Sequence, residues 1–222
     1  MTDFHAHILP GADHGSDGLK TSLRQLALAE EAGISTIVAT PHFYPQVEEF
    51  SDFLRKRERC WRELQANYHG PVRILLGAEV HICVGLDHLA GLEQLCIPGT
   101  NVMLAELPLR GIPGGLTETF TRLIEEKGIK PVLAHVDRYD PNWIQNLFFL
   151  GLSGQVNAEA LCRIFGRGRF NTWIDEGFIV ALGSDIHGTE IGYSQYLKAV
   201  ERLGARAGKL EDRVRKLLAK AE

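Results

Sequence analysis

Long apolar runs are missing from this 222-residue chain. Stretches such as 147–150 and 178–182 fall far short of the ~20 residues that a membrane span needs. No basic segment followed by an apolar one opens the chain, where Thr2, Asp3 and His5 come soon after Met1. A secretory leader is therefore not expected, and a cytoplasmic protein is. Cysteine is sparse: Cys60, Cys83, Cys96 and Cys162 lie far apart with no C-x-x-C spacing. That argues against a thiolate zinc finger and for a reducing compartment. Positive charge is in deficit, with 24 Lys plus Arg against 28 Asp plus Glu for a net −4. A nucleic-acid binder draws much of its affinity from cations on phosphates, so that class is disfavoured. No G-x-G-x-x-G follows the first strand-like run, which weakens a dinucleotide-binding reading.

What is present is an ordinary globular composition, 45% hydrophobic and 23% charged. The length suits one domain, and no linker rich in Pro, Ser or charge divides it, so residues 1–222 are read as a single domain. Short β-branched runs recur at 3–8, 35–40, 72–77, 101–106, 131–135, 154–157 and 178–183. Helical patterns lie between them. Leu19, Leu23, Leu26 and Ala27 share one helix face, and Gly33 stands where a helix ends. Gly128 after 116–127 and Gly177 after 172–176 repeat that punctuation. The charged stretch within 50–68 (Arg55, Lys56, Arg57, Glu58, Arg59) reads as the solvated face of an outer helix. Residues 210–218 read as an amphipathic end helix. Strand, helix, glycine, strand, repeated, is the pattern of a parallel α/β protein. Seven such strands point to a distorted seven-stranded TIM-like barrel, (β/α)7, rather than a doubly wound sheet.

The side chains that bind metals collect at the strand ends. His5 and His7 alternate in the first strand and so share a face. His14 follows in a glycine-punctuated loop beside Asp13. His42 ends the second strand, Glu79 the third, Glu106 the fourth and His135 the fifth; Asp185 and His187 end the last. In a parallel barrel all of these ends open on one rim. A lone strand-end histidine is ordinarily a satisfied polar residue, but nine coincident nitrogen and oxygen ligands are not explained that way. Glu106, among Val102, Met103, Leu104 and Leu107, needs a cationic partner once buried. His69, His81 and His88 fall outside strand ends and read as surface or packing residues. Nine ligands exceed the needs of one ion, and three divalent ions fit the count better. Imidazole with carboxylate suits zinc, manganese or iron. Arg138, three residues past His135, stands near the same rim, where a guanidinium can grip an oxyanion bidentately; the plainer alternative is a salt bridge to Asp137 or Asp140.

At this point the chain resembles the PHP (polymerase and histidinol phosphatase) superfamily, in particular the manganese-dependent protein-tyrosine-phosphatases of bacterial capsule and exopolysaccharide operons. The segments that carry the likeness are Asp3-Phe4-His5-Ala6-His7-Ile8-Leu9-Pro10-Gly11, Ala39-Thr40-Pro41-His42, Gly77-Ala78-Glu79, Ala134-His135-Val136-Asp137-Arg138-Tyr139, Gln155-Val156-Asn157-Ala158 and Ser184-Asp185-Ile186-His187. The resemblance implies a PHP-type barrel with a trinuclear site. It puts His5, His7, Glu79 and Asp185 on one ion, bridged by Glu79 to a second held by Glu106 and His135. A third ion would take His14, His42 and His187. It also implies a phosphotyrosine-bearing protein partner, such as the tail of a bacterial tyrosine autokinase. That branch carries aspartate at the position of His14 and a second arginine soon after its last motif histidine; residues 188–192 here hold none.

The expected activity is phosphomonoester hydrolysis by metal-activated hydroxide, with Arg138 binding the substrate phosphate and neutralising its charge. No Cys-x5-Arg cradle exists for a cysteinyl-phosphate route. The rival readings are a PHP phosphatase of a small ester such as histidinol phosphate, a phosphodiesterase, and a noncatalytic metal-binding regulator of a tyrosine kinase.

Overall fold

The alternation of β-branched runs with amphipathic stretches is realised as successive βα units. The computed structural model describes every residue except 110, 112, 164, 165, 190, 191 and 220–222. The strands are β1 (Thr2–Ala6), β2 (Thr36–Ala39), β3 (His42–Phe43), β4 (Arg73–Leu76), β5 (Glu79–His81), β6 (Val102–Glu106), β7 (Lys130–Leu133), β8 (Ser153–Asn157) and β9 (Ile179–Gly183). The helices are α1 (Leu19–Glu31), α2 (Phe50–Asn67), α3 (Leu116–Glu125), α4 (Pro141–Phe149), α5 (Ala158–Cys162), α6 (Gly168–Glu176), α7 (Ser194–Leu203) and α8 (Ala205–Leu218). Strand pairing among the described residues is parallel throughout, as helical crossovers require.

The strands divide into a three-stranded sheet, ordered β1-β2-β4, and a six-stranded sheet, ordered β3-β5-β6-β7-β8-β9. The single seven-stranded barrel expected from the sequence is therefore not formed as one closed sheet. Two of the expected strands break, one at Thr40-Pro41 and one at Gly77-Ala78. Pro41 has no N–H for a ladder. The chain resumes as β3 and β5, which pair with each other, His42 opposite Glu79. Hydrogen bonds still span the breaks: the N–H of Thr40 donates to the Ala6 carbonyl (2.9 Å) and that of Gly77 to the Ala39 carbonyl (2.8 Å). Beyond β9, the N–H of Asp185 donates to the His5 carbonyl (2.8 Å), and that of His7 to the Ile186 carbonyl (3.3 Å). These bonds lay the segment after β9 alongside β1.

Alternate strand residues feed two apolar clusters. Ile37, Met103, Ala105 and Leu133 join a large cluster that includes Phe43, Phe53 and Phe120. Val38, Val102, Leu104 and Val132 join a smaller one with Phe4, Val214 and Leu218. Each fully buried Leu, Ile or Phe contributes about 1.5–3 kcal/mol, so the fold has ample apolar stabilisation apart from any ion.

Two helix faces differ from expectation. In α1 the buried residues are Ser22, Gln25, Leu26 and Ala29, with Leu19 and Leu23 only partly buried. The polar pair is tolerated because it is hydrogen-bonded: Ser22 Oγ meets Ser16 Oγ at 2.8 Å, and Gln25 Nε2 donates to the His7 carbonyl at 3.3 Å. In α2, Arg57 is not solvated but buried. Its guanidinium donates to the carbonyls of Gly77 (3.1 Å) and Gln94 (2.7 Å), and burial pushes its pKa down to about 10. It thereby clamps the break that precedes Glu79.

Candidate metal centre

Eight of the nine expected metal-binding residues bring donor atoms into one cluster at the strand ends. His5 lies within β1 and His7 just after it; Glu106 closes β6; His135 follows β7; Asp185 and His187 follow β9. His42 and Glu79 open β3 and β5 rather than ending longer strands, because the chain breaks just before them. Glu79 is the centre. Its Oε2 lies 3.2 Å from His5 Nε2, 3.3 Å from His7 Nε2 and 3.0 Å from His42 Nδ1, and its Oε1 lies 2.7 Å from His135 Nε2. Asp185 Oδ1 stands 3.5 Å from His5 Nε2 and 3.4 Å from His7 Nε2. Glu106 Oε1 is 3.8 Å from His135 Nε2.

The chemistry of this donor set fits divalent cations. His5 Nδ1 faces the amide oxygen of Gln155 (3.1 Å), and His7 Nδ1 faces Asp13 Oδ2 (2.7 Å). Those acceptors take an N–H, which turns both Nε2 lone pairs toward one spot. The two Nε2 atoms stand 3.0 Å apart, facing carboxylates. His42 Nδ1 and Glu79 Oε2 are both buried and stand 3.0 Å apart, yet neither makes a well-oriented hydrogen bond. Three sets of donor atoms converge closely enough to hold an ion: His5, His7 and Asp185; His42, Glu79 and Glu106; His7, His42 and His187.

The electrostatics agree. Burial alone would raise the Glu79 carboxyl, yet His5, His135 and His42 hold it well below the usual carboxylate range. Burial likewise opposes ionisation of Asp185, but His5, His7 and Arg138 hold its pKa far down. Burial would lower His5 and His7, and the carboxylates around them raise both instead. The space between these groups therefore favours positive charge. His187 is pushed down to about 4 by burial and by the neighbouring His7, so it presents a neutral imidazole at neutral pH. His135 (φ 32°) and Asp185 (φ 53°) adopt left-handed backbone conformations, a strain that persists where surrounding structure over-determines it and that concentrates at functional sites.

His14 is the exception among the nine. Its exposed ring stacks on His42 at 4.9 Å and lies 4.6 Å from His187. Like His135 it belongs to none of the three converging sets, but His135 Nε2 reaches Glu79 and Glu106, whereas His14 meets the cluster through ring contacts. Its neighbour Asp13 is spent elsewhere: it accepts from His7 Nδ1, from the Gly15 N–H (2.9 Å) and from the His42 N–H (3.0 Å). Arg138 sits in a short turn after His135, with its side chain 44% exposed, and its Nη2 contacts Asp185 Oδ2. That acceptor is neither Asp137 nor Asp140. With Asn157, Ser184, Asp185, His187 and Gln195, Arg138 lines a cleft of about 150 Å³ beside the cluster. Of the stretch 188–192, residues 190 and 191 lie outside the described residues.

Several residues at the site had no role in the sequence reading, although Gln155 and Asn157 lie in a segment that carries the family likeness. Gln155 accepts the His135 N–H (2.8 Å) as well as facing His5, and it donates to Asn157 Oδ1 (2.8 Å). Asn157 in turn donates to Asp185 Oδ2 (2.9 Å). Period-2 alternation along β8 puts Gln155 and Asn157 on one face and was the available signal. His81, read as packing or surface, instead lies 3.3 Å from Glu106.

A family model described as "Capsular polysaccharide synthesis, CpsB/CapC" matches residues 1–221. The chain belongs to the CpsB/CapC family. Among curated relatives of this family member, Tyrosine-protein phosphatase YwqE of Bacillus subtilis is 30% identical over 181 residues, 75% of this chain and 68% of that protein. Tyrosine-protein phosphatase CpsB of Streptococcus pneumoniae is 28% identical over 213 residues, 84% of this chain and 83% of that one. Crystal structures of those two proteins, described as metal-dependent tyrosine phosphatases, supply a fold match with TM-score 0.82 at 25% identity, covering 100% of this chain and 96% of the matched one. Histidinol phosphate phosphatase of Lactococcus lactis shares the fold at TM-score 0.58 and 15% identity, covering 91% of this chain and 93% of that chain. No helix among the described residues is long and apolar enough to cross a membrane.

Proposed function

We propose that this CpsB/CapC-family chain is a metal-dependent phosphomonoesterase that hydrolyses phosphotyrosine in a protein substrate. The observation that carries the reading is Glu79, whose two oxygens are shared among four imidazoles beside a half-exposed arginine. The phosphatase names and metal dependence of its relatives support the substrate class. In this reading His5, His7, Glu79 and Asp185 would hold one ion and Glu79, Glu106 and His135 a second; a third would fall to His42 and His187, with His14, stacked on His42, completing it. Manganese is the resident ion implied by the family, with iron and zinc compatible with the same donors. When bound, such ions supply Lewis-acid activation of water and neutralise charge on the phosphoryl group.

The chain's own residues do the rest. Arg138 turns from Asp185 to grip two phosphate oxygens, a bidentate contact that lysine does not reproduce. Asn157 keeps Asp185 aligned through its 2.9 Å bond when the guanidinium leaves. Gln155 fixes the ring of His5 and the backbone of His135 together. A tyrosyl phenolate leaves with a conjugate-acid pKa of ~10, so no strong general acid is required of this site.

The match over residues 1–221 supports treating the chain as one PHP-type domain, with the nine strand segments occupying seven barrel positions: β2 with β3, and β4 with β5, each form one interrupted stave. The proposed partner is the phosphotyrosine-bearing tail of a bacterial autokinase. The proposed compartment is the cytoplasm, supported by four free cysteines, as a reducing compartment keeps them. Hydrolysis of p-nitrophenyl phosphate that disappears on thorough chelation and returns with Mn²⁺, with turnover of a phosphotyrosyl peptide well above that of histidinol phosphate, is the expected result. Activity untouched by metal stripping would sink the mechanism, and preference for histidinol phosphate would sink the substrate class.

A further inference from the structure

One histidine outside the expected ligand set touches the centre. Strand alternation in β5 sends Glu79 and His81 to the same face, and the parallel register places His81 opposite Glu106 on β6. His81 Nδ1 lies 3.3 Å from Glu106 Oε2. An ionised carboxylate offers only lone pairs, so the ring nitrogen is the donor. That bond occupies one oxygen of Glu106 and leaves Oε1 toward His135, 3.8 Å away. The ring of Tyr44 packs 5.6 Å from that of His81 and 5.1 Å from that of His42, which restrains His81 from rotating off the carboxylate. The side chain is 21% exposed, buried enough for the bond to escape full competition from water. A further hydrogen bond at Glu106, from the N–H of Ile82 to its backbone carbonyl (2.8 Å), leaves the carboxylate untouched.

We infer that His81 is a positioning residue for Glu106 and sets the affinity of the one cation that Glu106 holds. The inference rests on the metal centre proposed above and adds to it a residue that does not itself ligate. Hydrogen-bond partners of metal-binding carboxylates typically change metal affinity by about 10–100-fold when removed. The test is titration of metal-stripped protein with Mn²⁺, counting free ion by its electron paramagnetic resonance signal. His81→Ala is expected to weaken one bound equivalent by that factor and leave the other equivalents unchanged. His81→Asn, whose amide nitrogen reaches close to the position of Nδ1, is expected to recover most of the loss. Thermal unfolding of the stripped proteins shows whether the alanine variant is folded; if it is not, the asparagine variant alone decides, by binding Mn²⁺ as the wild type does or not. Wild-type affinity for every equivalent in folded His81→Ala, or a full loss in folded His81→Asn, overturns the inference. A wild-type protein that binds no Mn²⁺ overturns both the inference and the function beneath it.

Discussion

The site depends on how closely β9 can approach β1, and Gly183 is where that dependence can be measured. A Cβ built on Gly183 would lie 2.6 Å from His5 Cβ and 2.6 Å from Gln155 Nε2. Carbon atoms pack best at about 3.5–4.0 Å, so alanine forces a separation of about 1 Å. Gln155 can swing away, but His5 Cβ is attached directly to the β1 backbone and moves only with the strand. Overpacking of this kind costs about 1–3 kcal/mol, which for a chain of this size lowers Tm by about 2–4 °C per kcal/mol. The larger effect falls on chemistry. Both groups that would move hold the cluster, His5 through its Nε2 and Gln155 through His5 and His135, and a 1 Å misplacement can cost ~100-fold in rate. Gly183→Ala is therefore expected to remain folded by circular dichroism, with modestly reduced Tm and a loss of kcat/KM on p-nitrophenyl phosphate far larger than its stability loss. Wild-type activity in a folded Gly183→Ala protein would refute the claim that strand spacing at this point positions the centre.

Glu79→Gln keeps the shape of the central side chain but removes the charge that its four imidazoles share. Its metal content, measured by elemental analysis, and its activity should fall by more than the about 10–100-fold typical of outer hydrogen-bond partners, while the apolar clusters keep the fold. Arg138→Ala should lower kcat/KM by about 100–1,000-fold with bound metal retained, and Arg138→Lys should recover little of it; full rescue by lysine would argue against a bidentate phosphate grip. Burial pushes the Cys96 thiol up to about 11, so in the folded protein it stays protonated and should resist iodoacetamide at pH 8 far longer than in urea, as read by mass spectrometry. Because its folded pKa lies above the ordinary value of 9.0, the associated stability is present below pH 9 and is lost as pH rises toward 11. Cys96→Ala should flatten that part of the pH–stability curve.

The βα alternation, the parallel strands and all nine candidate ligands were legible in the sequence, because each is a local property. Periodicity marks strand and helix, and a histidine or carboxylate at a strand end is visible one residue at a time. Eight of those nine side chains bring donor atoms into the cluster, and Arg138 borders it. The misreadings share one cause. Arg57 looked solvated within a charged run, yet α2 packs it against the carbonyls of Gly77 and Gln94, partners that lie 20 and 37 residues away. His81 sat outside the expected strand ends, and only the pairing of β5 with β6 sets it against Glu106. The strand breaks before His42 and Glu79 divide the expected barrel into two hydrogen-bonded sheets. What the amino-acid order determined alone was which groups are available and which way each strand presents them. Which carboxylate oxygen meets which imidazole, and whether His14 or Asp13 faces the cluster, only the assembled strands decide, because those distances depend on register and approach between segments as far apart as β1 and β9.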